Sequence, residues 1–120
     1  MGSIGAVLEA VEAGTVTISC TAGEGLTQQH GLLHGGVIAS LADVACGYAA
    51  LSLMPDNKEV LTVEFKINFL RPATTERVVA VAKVVQSGRT LTVCEATVFD
   101  SSQTNLVARM TATMMSVDLR

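Results

Sequence analysis

At 120 residues with a net charge of −3, the chain has the length of one domain with its own core, and its acidity argues against a broad nucleic-acid surface. Apolar residues make up 49% of it, but only 3% are aromatic and none is Trp, so the interior must be built from Val, Leu, Ala and Met, and base stacking on rings is not its business. The widely spaced Cys20, Cys46 and Cys94, with no secretory pattern at the start, predict free thiols in a reducing, cytoplasmic setting.

Residues 7–13 and 15–21 are β-rich runs joined at Gly14, an expected hairpin, and a loop containing Gly and Gln follows over 22–33. An almost wholly apolar helix comes next. It opens on His34-Gly35-Gly36 and is expected to stop near Met54, because Pro55 lacks an N–H and disfavours helical geometry in its predecessor. The run over 37–54 approaches membrane-spanning length, but Ser40, Asp43, Gly47 and Ser52 interrupt it and no basic flank follows, so a buried helix is expected and no membrane partner.

Residues 61–69 alternate cleanly, with Leu61, Val63, Phe65, Ile67 and Phe69 assigned to one face and Thr62, Glu64, Lys66 and Asn68 to the other, the pattern of a half-buried strand. Three more strands are read over 77–85, 90–99 and 106–117, with turns at Ser87-Gly88-Arg89 and over 100–105. Two strands, one helix and four strands with short links predict an α+β domain over residues 1–120, its single helix covering a broad, twisted antiparallel sheet.

The helix carries one acid, Asp43. A carboxylate two turns into an apolar helix loses hydration, so it needs either a hydrogen-bond partner or a chemical task, and the residues alone leave both readings open. Val37, Leu41, Val44, Tyr48 and Leu51 form a bulky stripe expected to pack into the core. Gly36, Ala39, Ser40, Asp43, Cys46, Gly47 and Ala50 form a stripe of small residues that a second backbone or a slender ligand can approach, which aims Asp43 at an interface or pocket. The two glycines at the helix start expose backbone N–H donors suited to an anion or a developing oxyanion. Cys46 has no histidine at helical spacing and reads as core. Met110, Met114 and Met115 read as strand and core filling, and Glu95 as a cross-strand partner.

The segment from His34 to Asp43, followed by Gly47-Tyr48-Ala49-Ala50, resembles the signature of hotdog-fold acyl-CoA thioesterases of the phenylacetate-pathway (PaaI) type, and Asn68-Phe69-Leu70-Arg71-Pro72-Ala73, Ser87-Gly88-Arg89, Glu95-Ala96 and Asp100 extend the likeness over nearly the whole chain. The resemblance implies a hotdog fold, a long helix wrapped by a curved sheet in the order β-β-α-β-β-β-β. It implies paired subunits whose active sites take residues from both, and a homo-oligomer that is a dimer or a dimer of dimers. Asp43 would be the nucleophile or general base, the Gly35 N–H the oxyanion donor, and His34 a brace for the thioester end. Gln28 stands where the family commonly has a water-orienting Asn, with Gln29 and His30 beside it, and Thr62 where it has a Ser or Thr assisting the attack. Gly36 and Gly88 fall in the substrate-binding segments; Arg71 and Arg89, with Lys66 further along the strand, would meet the phosphates of coenzyme A. Coenzyme A enters only as part of the substrate, and neither another cofactor nor a metal is implied.

The leading expectation is hydrolysis of a small aliphatic or aromatic, phenylacetyl-like acyl-CoA to the free acid and coenzyme A. Hydration of enoyl-CoA on the same fold would need an Asp beside a His, and His30 and His34 have no such neighbour. A non-catalytic acyl-CoA or fatty-acid binding module is the alternative from another class, since a fold does not fix a function.

Overall fold

A computed structural model describes residues 6–21, 35–73, 77–101 and 105–119. The opening hairpin pairs β1 (Ala6–Glu12) with β2 (Thr15–Thr21) around Gly14, whose φ of +80° suits only a residue without a Cβ. The Gly14 N–H donates to Ser52 Oγ at 2.7 Å, and that hydroxyl donates to the Ala49 carbonyl at 2.7 Å, tying the hairpin to the end of the helix α1 (Gly35–Leu51). Here α1 ends earlier than the proline alone predicts. The N–H groups of Leu53 and Met54 turn back to the carbonyls of Ala50 and Leu51 at 3.1 and 3.0 Å, a tighter turn that closes the helix before Pro55.

The chain then forms β3 (Lys58–Phe69), β4 (Arg77–Ser87), β5 (Leu91–Asp100) and β6 (Leu106–Asp118). All six strands make one antiparallel sheet in the order β1-β2-β4-β5-β6-β3. After β2 the chain crosses by way of α1 to the far edge, lays down β3 there, and returns to β4 beside β2. The curved sheet closes on a single helix, which is the hotdog arrangement with the element order expected.

The faces of α1 differ from the expectation. Its buried residues are Ile38, Leu41, Ala42, Ala45, Cys46, Ala49 and Ala50, a stripe at helical spacing that is mostly small. Short side chains let the helix lie close against a strongly curved sheet, and the bulk comes from the strands: Val16, Ile18, Val78, Val98, Met110 and Met114 are all buried. Of the bulky stripe only Leu41 is fully buried; Val37, Val44 and Leu51 are half-buried and Tyr48 is exposed. Cys46 and Ala50, assigned to the open small face, lie in the core.

The alternation in β3 is also interrupted. Its register against β6 shifts between Thr62 and Glu64, a β-bulge at Val63. Cross-strand partners share a face, so Thr62 lies with buried Met114 on the helix side, whereas Leu61 lies with half-exposed Met115 on the convex side. Beyond the bulge Phe65, Ile67 and Phe69 pair with Ala112, Met110 and Ala108 and return to the helix side. The five apolar residues of the pattern therefore do not share one face, and Met115 does not fill the core. Glu95 pairs as expected, with Lys83 at 3.3 Å and Arg109 at 3.6 Å.

Candidate active site

Asp43 leaves the buried stripe of α1 and faces β3. Its Oδ1 accepts a hydrogen bond from Thr62 Oγ1 at 2.8 Å, and Thr62 Oγ1 lies 3.4 Å from Met114 Sδ. The bulge makes this contact possible: an unbroken alternation that kept Phe65, Ile67 and Phe69 inward would turn Thr62 outward. Asp43 and Thr62 stand in a groove of about 350 Å³ between α1 and the start of β3, lined also by Val44, Gly47, Tyr48, Leu51, Lys58, Glu59 and Val60. The sequence pattern places Gly47 with Asp43 on the approachable small stripe but Val44, Tyr48 and Leu51 on a core-packing stripe, whereas all of them line this groove.

At the other end of α1, Gly35 and Gly36 begin the helix, so their N–H groups are among the four without an intrahelical partner. A Cβ at Gly35 would lie 3.3 Å from Phe69 Cζ, whereas one at Gly36 would meet nothing within 4 Å. Gly35 thus sits tightly under β3 and Gly36 opens outward. The Gly35 N–H and the Asp43 carboxylate are eight residues apart on one helix, about 12 Å along its axis.

Arg71 and Arg89 lie at opposite ends of the sheet. The N–H groups of Leu70 and Arg71 both reach the Val107 carbonyl, at 2.8 and 3.2 Å, and Arg71 Nη1 donates to Asn105 Oδ1 at 3.4 Å, all at the end where Phe69 covers Gly35. The Arg89 carbonyl accepts from Ser116 Oγ at 3.3 Å, beside the start of β3. Val107 and Ser116 are nine steps apart along β6, about 30 Å. The Gly88 N–H is taken by the Leu91 carbonyl at 2.9 Å, and a Cβ there would come within 2.5 Å of that oxygen, so Gly88 serves the turn. Lys66, opposite Thr111, is on the convex face away from the groove. His34, Gln28, Gln29 and His30 lie outside the described residues.

Cys46 and Cys94 are buried behind the site, and the Cys94 thiol is 3.6 Å from the Cys46 carbonyl. Burial, reinforced by the neighbouring Cys94 and Asp43, pushes the Cys46 thiol far above its usual range, and burial raises Cys94 to about 11. Both are held as thiols and neither is a nucleophile at neutral pH. Among the described residues no group of three His, Cys, Asp or Glu side chains is placed to hold a metal ion, and no helix is long and apolar enough to cross a membrane.

A family model for the thioesterase superfamily matches residues 30–107, which include the helix, β3 and the strands that pack on it. A crystal structure of a thioesterase family protein from Silicibacter pomeroyi is 47% identical and superposes with a TM-score of 0.93 over 98% of this chain and 88% of that one. A protein of Saccharolobus solfataricus classed as an esterase is 34% identical over 110 residues, 92% of this chain and 72% of that one. The medium/long-chain acyl-CoA thioesterase YigI of Escherichia coli is 29% identical over 97 residues, 70% of this chain and 62% of that one. The Escherichia coli PaaI protein, at 23% identity, shares the fold with a TM-score of 0.87 over 98% of this chain and 84% of that one. The chain belongs to the thioesterase superfamily. It is a hotdog-fold thioester hydrolase.

Proposed function

We propose that the protein hydrolyses acyl-CoA thioesters at a site completed by two copies of the chain, with Asp43 of one protomer and the Gly35 N–H of the other acting on the same thioester. The observation that carries this is the spacing on α1. A carbonyl held at Gly35 is about 12 Å from the carboxylate of its own chain, too far for attack, so an oxyanion donor and an attacking group on one thioester must come from different helices.

The edge position of β3 supports the pairing. Among the described residues its outer edge has no strand partner, and Leu61 (55% exposed), Val63 (53%), Phe65 (46%) and Phe69 (53%) belong to this strand. A two-fold axis through this edge sets β3 antiparallel to its copy and brings the Arg71 end of one sheet to the Arg89 end of the other. The two cations, about 30 Å apart in one chain, then flank a common entrance suited to the phosphates of coenzyme A. Two such dimers back to back would give a dimer of dimers.

In this reading Asp43 attacks the thioester carbon or takes the proton from the water that does. Thr62 fixes the carboxylate by its hydrogen bond, and the Gly35 N–H at the positive end of α1 holds the charge that develops on the carbonyl oxygen. Collapse of the tetrahedral intermediate breaks the C–S bond and releases coenzyme A as its thiolate; where water attacks, the free acid forms at once, and where Asp43 attacks, the acyl group stays on it as an anhydride that a water then hydrolyses to the free acid. His34 and Gln28 keep the bracing and water-orienting roles that the resemblance implies, the enzyme needs no cofactor beyond the coenzyme A of its substrate, and it works in the cytoplasm on small aliphatic or phenylacetyl-like acyl groups. Thiol release from a panel of aliphatic and aromatic acyl-CoAs tests the proposal. Turnover by the parent and a loss of at least about a hundredfold in Asp43→Asn, with the assembly intact, are expected; undiminished turnover in the variant would refute it.

A further inference from the structure

Arg71 stands on the surface two residues past the end of β3, where an arginine side chain has many rotamers to lose before it can hold anything. Here it is aimed from behind. Its Nη1 donates to Asn105 Oδ1 at 3.4 Å, and Asn105 is itself gripped by Asp100: the amide Nδ2 donates to Asp100 Oδ2 at 2.6 Å, and the backbone N–H reaches Oδ1 at 3.4 Å. Asp100 ends β5 and is buried (8% exposed), and its own N–H donates to the Asn105 carbonyl at 3.1 Å, which closes the turn between β5 and β6. The backbone of Arg71 is fixed to the same corner through the Val107 carbonyl, two residues beyond Asn105.

The amide between the two charged groups can stand only one way round. A carboxylate accepts and does not donate, and a guanidinium donates and does not accept, so Asn105 must give its NH2 to Asp100 and its oxygen to Arg71. The consequence is electrostatic. Lys58, Arg77, Lys83 and Arg109 are each paired directly with a carboxylate, on Asp118, Glu9 and, for the last two, Glu95. Among the described residues Arg71 has no carboxylate in direct contact; Asp100 is kept one side chain away, and a neutral amide orients the guanidinium without cancelling its charge. A direct ion pair would hold Arg71 as firmly but would show an incoming anion a neutral pair.

We infer that Asn105, held by Asp100, is a positioning residue for coenzyme A: it points the Arg71 guanidinium at a phosphate of the substrate and leaves it the charge to bind that phosphate. The inference rests on the reading above that puts Arg71 at the coenzyme A entrance and adds to it the residues that aim the cation.

A non-hydrolysable S-butyl-CoA thioether and its S-butyl-pantetheine counterpart, which carries no phosphate, are titrated calorimetrically against the parent, Arg71→Ala, Asn105→Ala, Asn105→Asp and the double variant Arg71→Ala/Asn105→Ala. Arg71→Ala should weaken the CoA thioether by about tenfold to a hundredfold, and Asn105→Ala by about threefold to tenfold, the scale of one hydrogen bond. In the double variant the Asn105 change should add nothing to the loss from Arg71→Ala, because its effect passes through the guanidinium. Asn105→Asp, of the same size, should bind the CoA thioether more weakly than Asn105→Ala, since its carboxylate neutralises Arg71 and repels the phosphate. The pantetheine thioether should bind all five proteins alike. An Asn105→Ala loss that persists undiminished without Arg71, that strikes the pantetheine thioether equally, or that is absent would overturn the inference, as would parental affinity in Asn105→Asp. Should Arg71→Ala itself cost no affinity, the entrance assigned to Arg71 fails and the inference with it. The expected ratios in a protein that cleaves no acyl-CoA would leave the positioning role standing and remove the hydrolysis reading.

Discussion

Among the described residues, the acid that looked out of place in an apolar helix is held by one neutral hydroxyl. Asp43 accepts from Thr62 at 2.8 Å, in a groove that Val44, Gly47, Leu51 and Val60 line together with Tyr48, Lys58 and Glu59. A hydrogen bond to a charged group is commonly worth about 1.5–3 kcal/mol, so Thr62→Val should lower kcat by about tenfold to a hundredfold with little change in KM, and Thr62→Ser should restore most of it; steady-state kinetics on one acyl-CoA decide this. The buried thiols give a second expectation at this scale. The Cys94 pKa is raised from 9.0 to about 11 in the folded protein, so its thiol form contributes stability that is complete below about pH 9 and is lost as the pH climbs towards about 11. Thermal midpoints measured between pH 7 and 10.5 should therefore fall on the alkaline side, and Cys94→Ala should flatten that fall. Asp43 and Gly35 were legible as residues because a lone acid and a paired glycine start are unusual in an apolar helix. Tyr48 and Leu51 were not legible as groove residues, since their bulk assigns them to the core.

Among the elements, every strand and the helix exist in the order that hydrophobic patterning gives, but α1 ends at Leu51 rather than near Met54, β3 starts at Lys58 rather than Leu61, and two of their faces differ. Patterning assumes that bulk marks the core, and in α1 the tight sheet reverses this: Ala42, Ala45, Ala49 and Ala50 are buried while Tyr48 faces the groove. In β3 the alternation from Leu61 to Phe69 is perfect in sequence, yet the bulge at Val63 splits it without any Gly or Pro to announce it. That split is what turns Thr62 towards Asp43, so the feature hardest to read is the one that assembles the pair. The turn between β4 and β5 was easier to find and has a steric reason beyond substrate contact. A Cβ at Gly88 would come within 2.5 Å of the Leu91 carbonyl oxygen, so Gly88→Ala must shift backbone. It should destabilise the protein by about 1–3 kcal/mol, read as a lowered denaturation midpoint.

For the whole molecule, one chain holds every described part of the site but in the wrong places for a single thioester. Gly35 and Asp43 are separated along α1, Arg71 and Arg89 along the sheet, and the proposed dimer through the exposed β3 edge would reunite them. The most direct measurement is subunit complementation between Asp43→Asn and Gly35→Pro, the latter removing the N–H at a helix position where proline is tolerated. Each variant alone should be at least about a hundredfold less active than the parent. After mixing and subunit exchange, verified by co-purification of differently tagged chains, half of the dimers are mixed and each carries one intact site. Activity should then recover to about a quarter of the parent's. Failure to recover any activity in a mixture shown to contain mixed dimers would contradict a site shared between two chains.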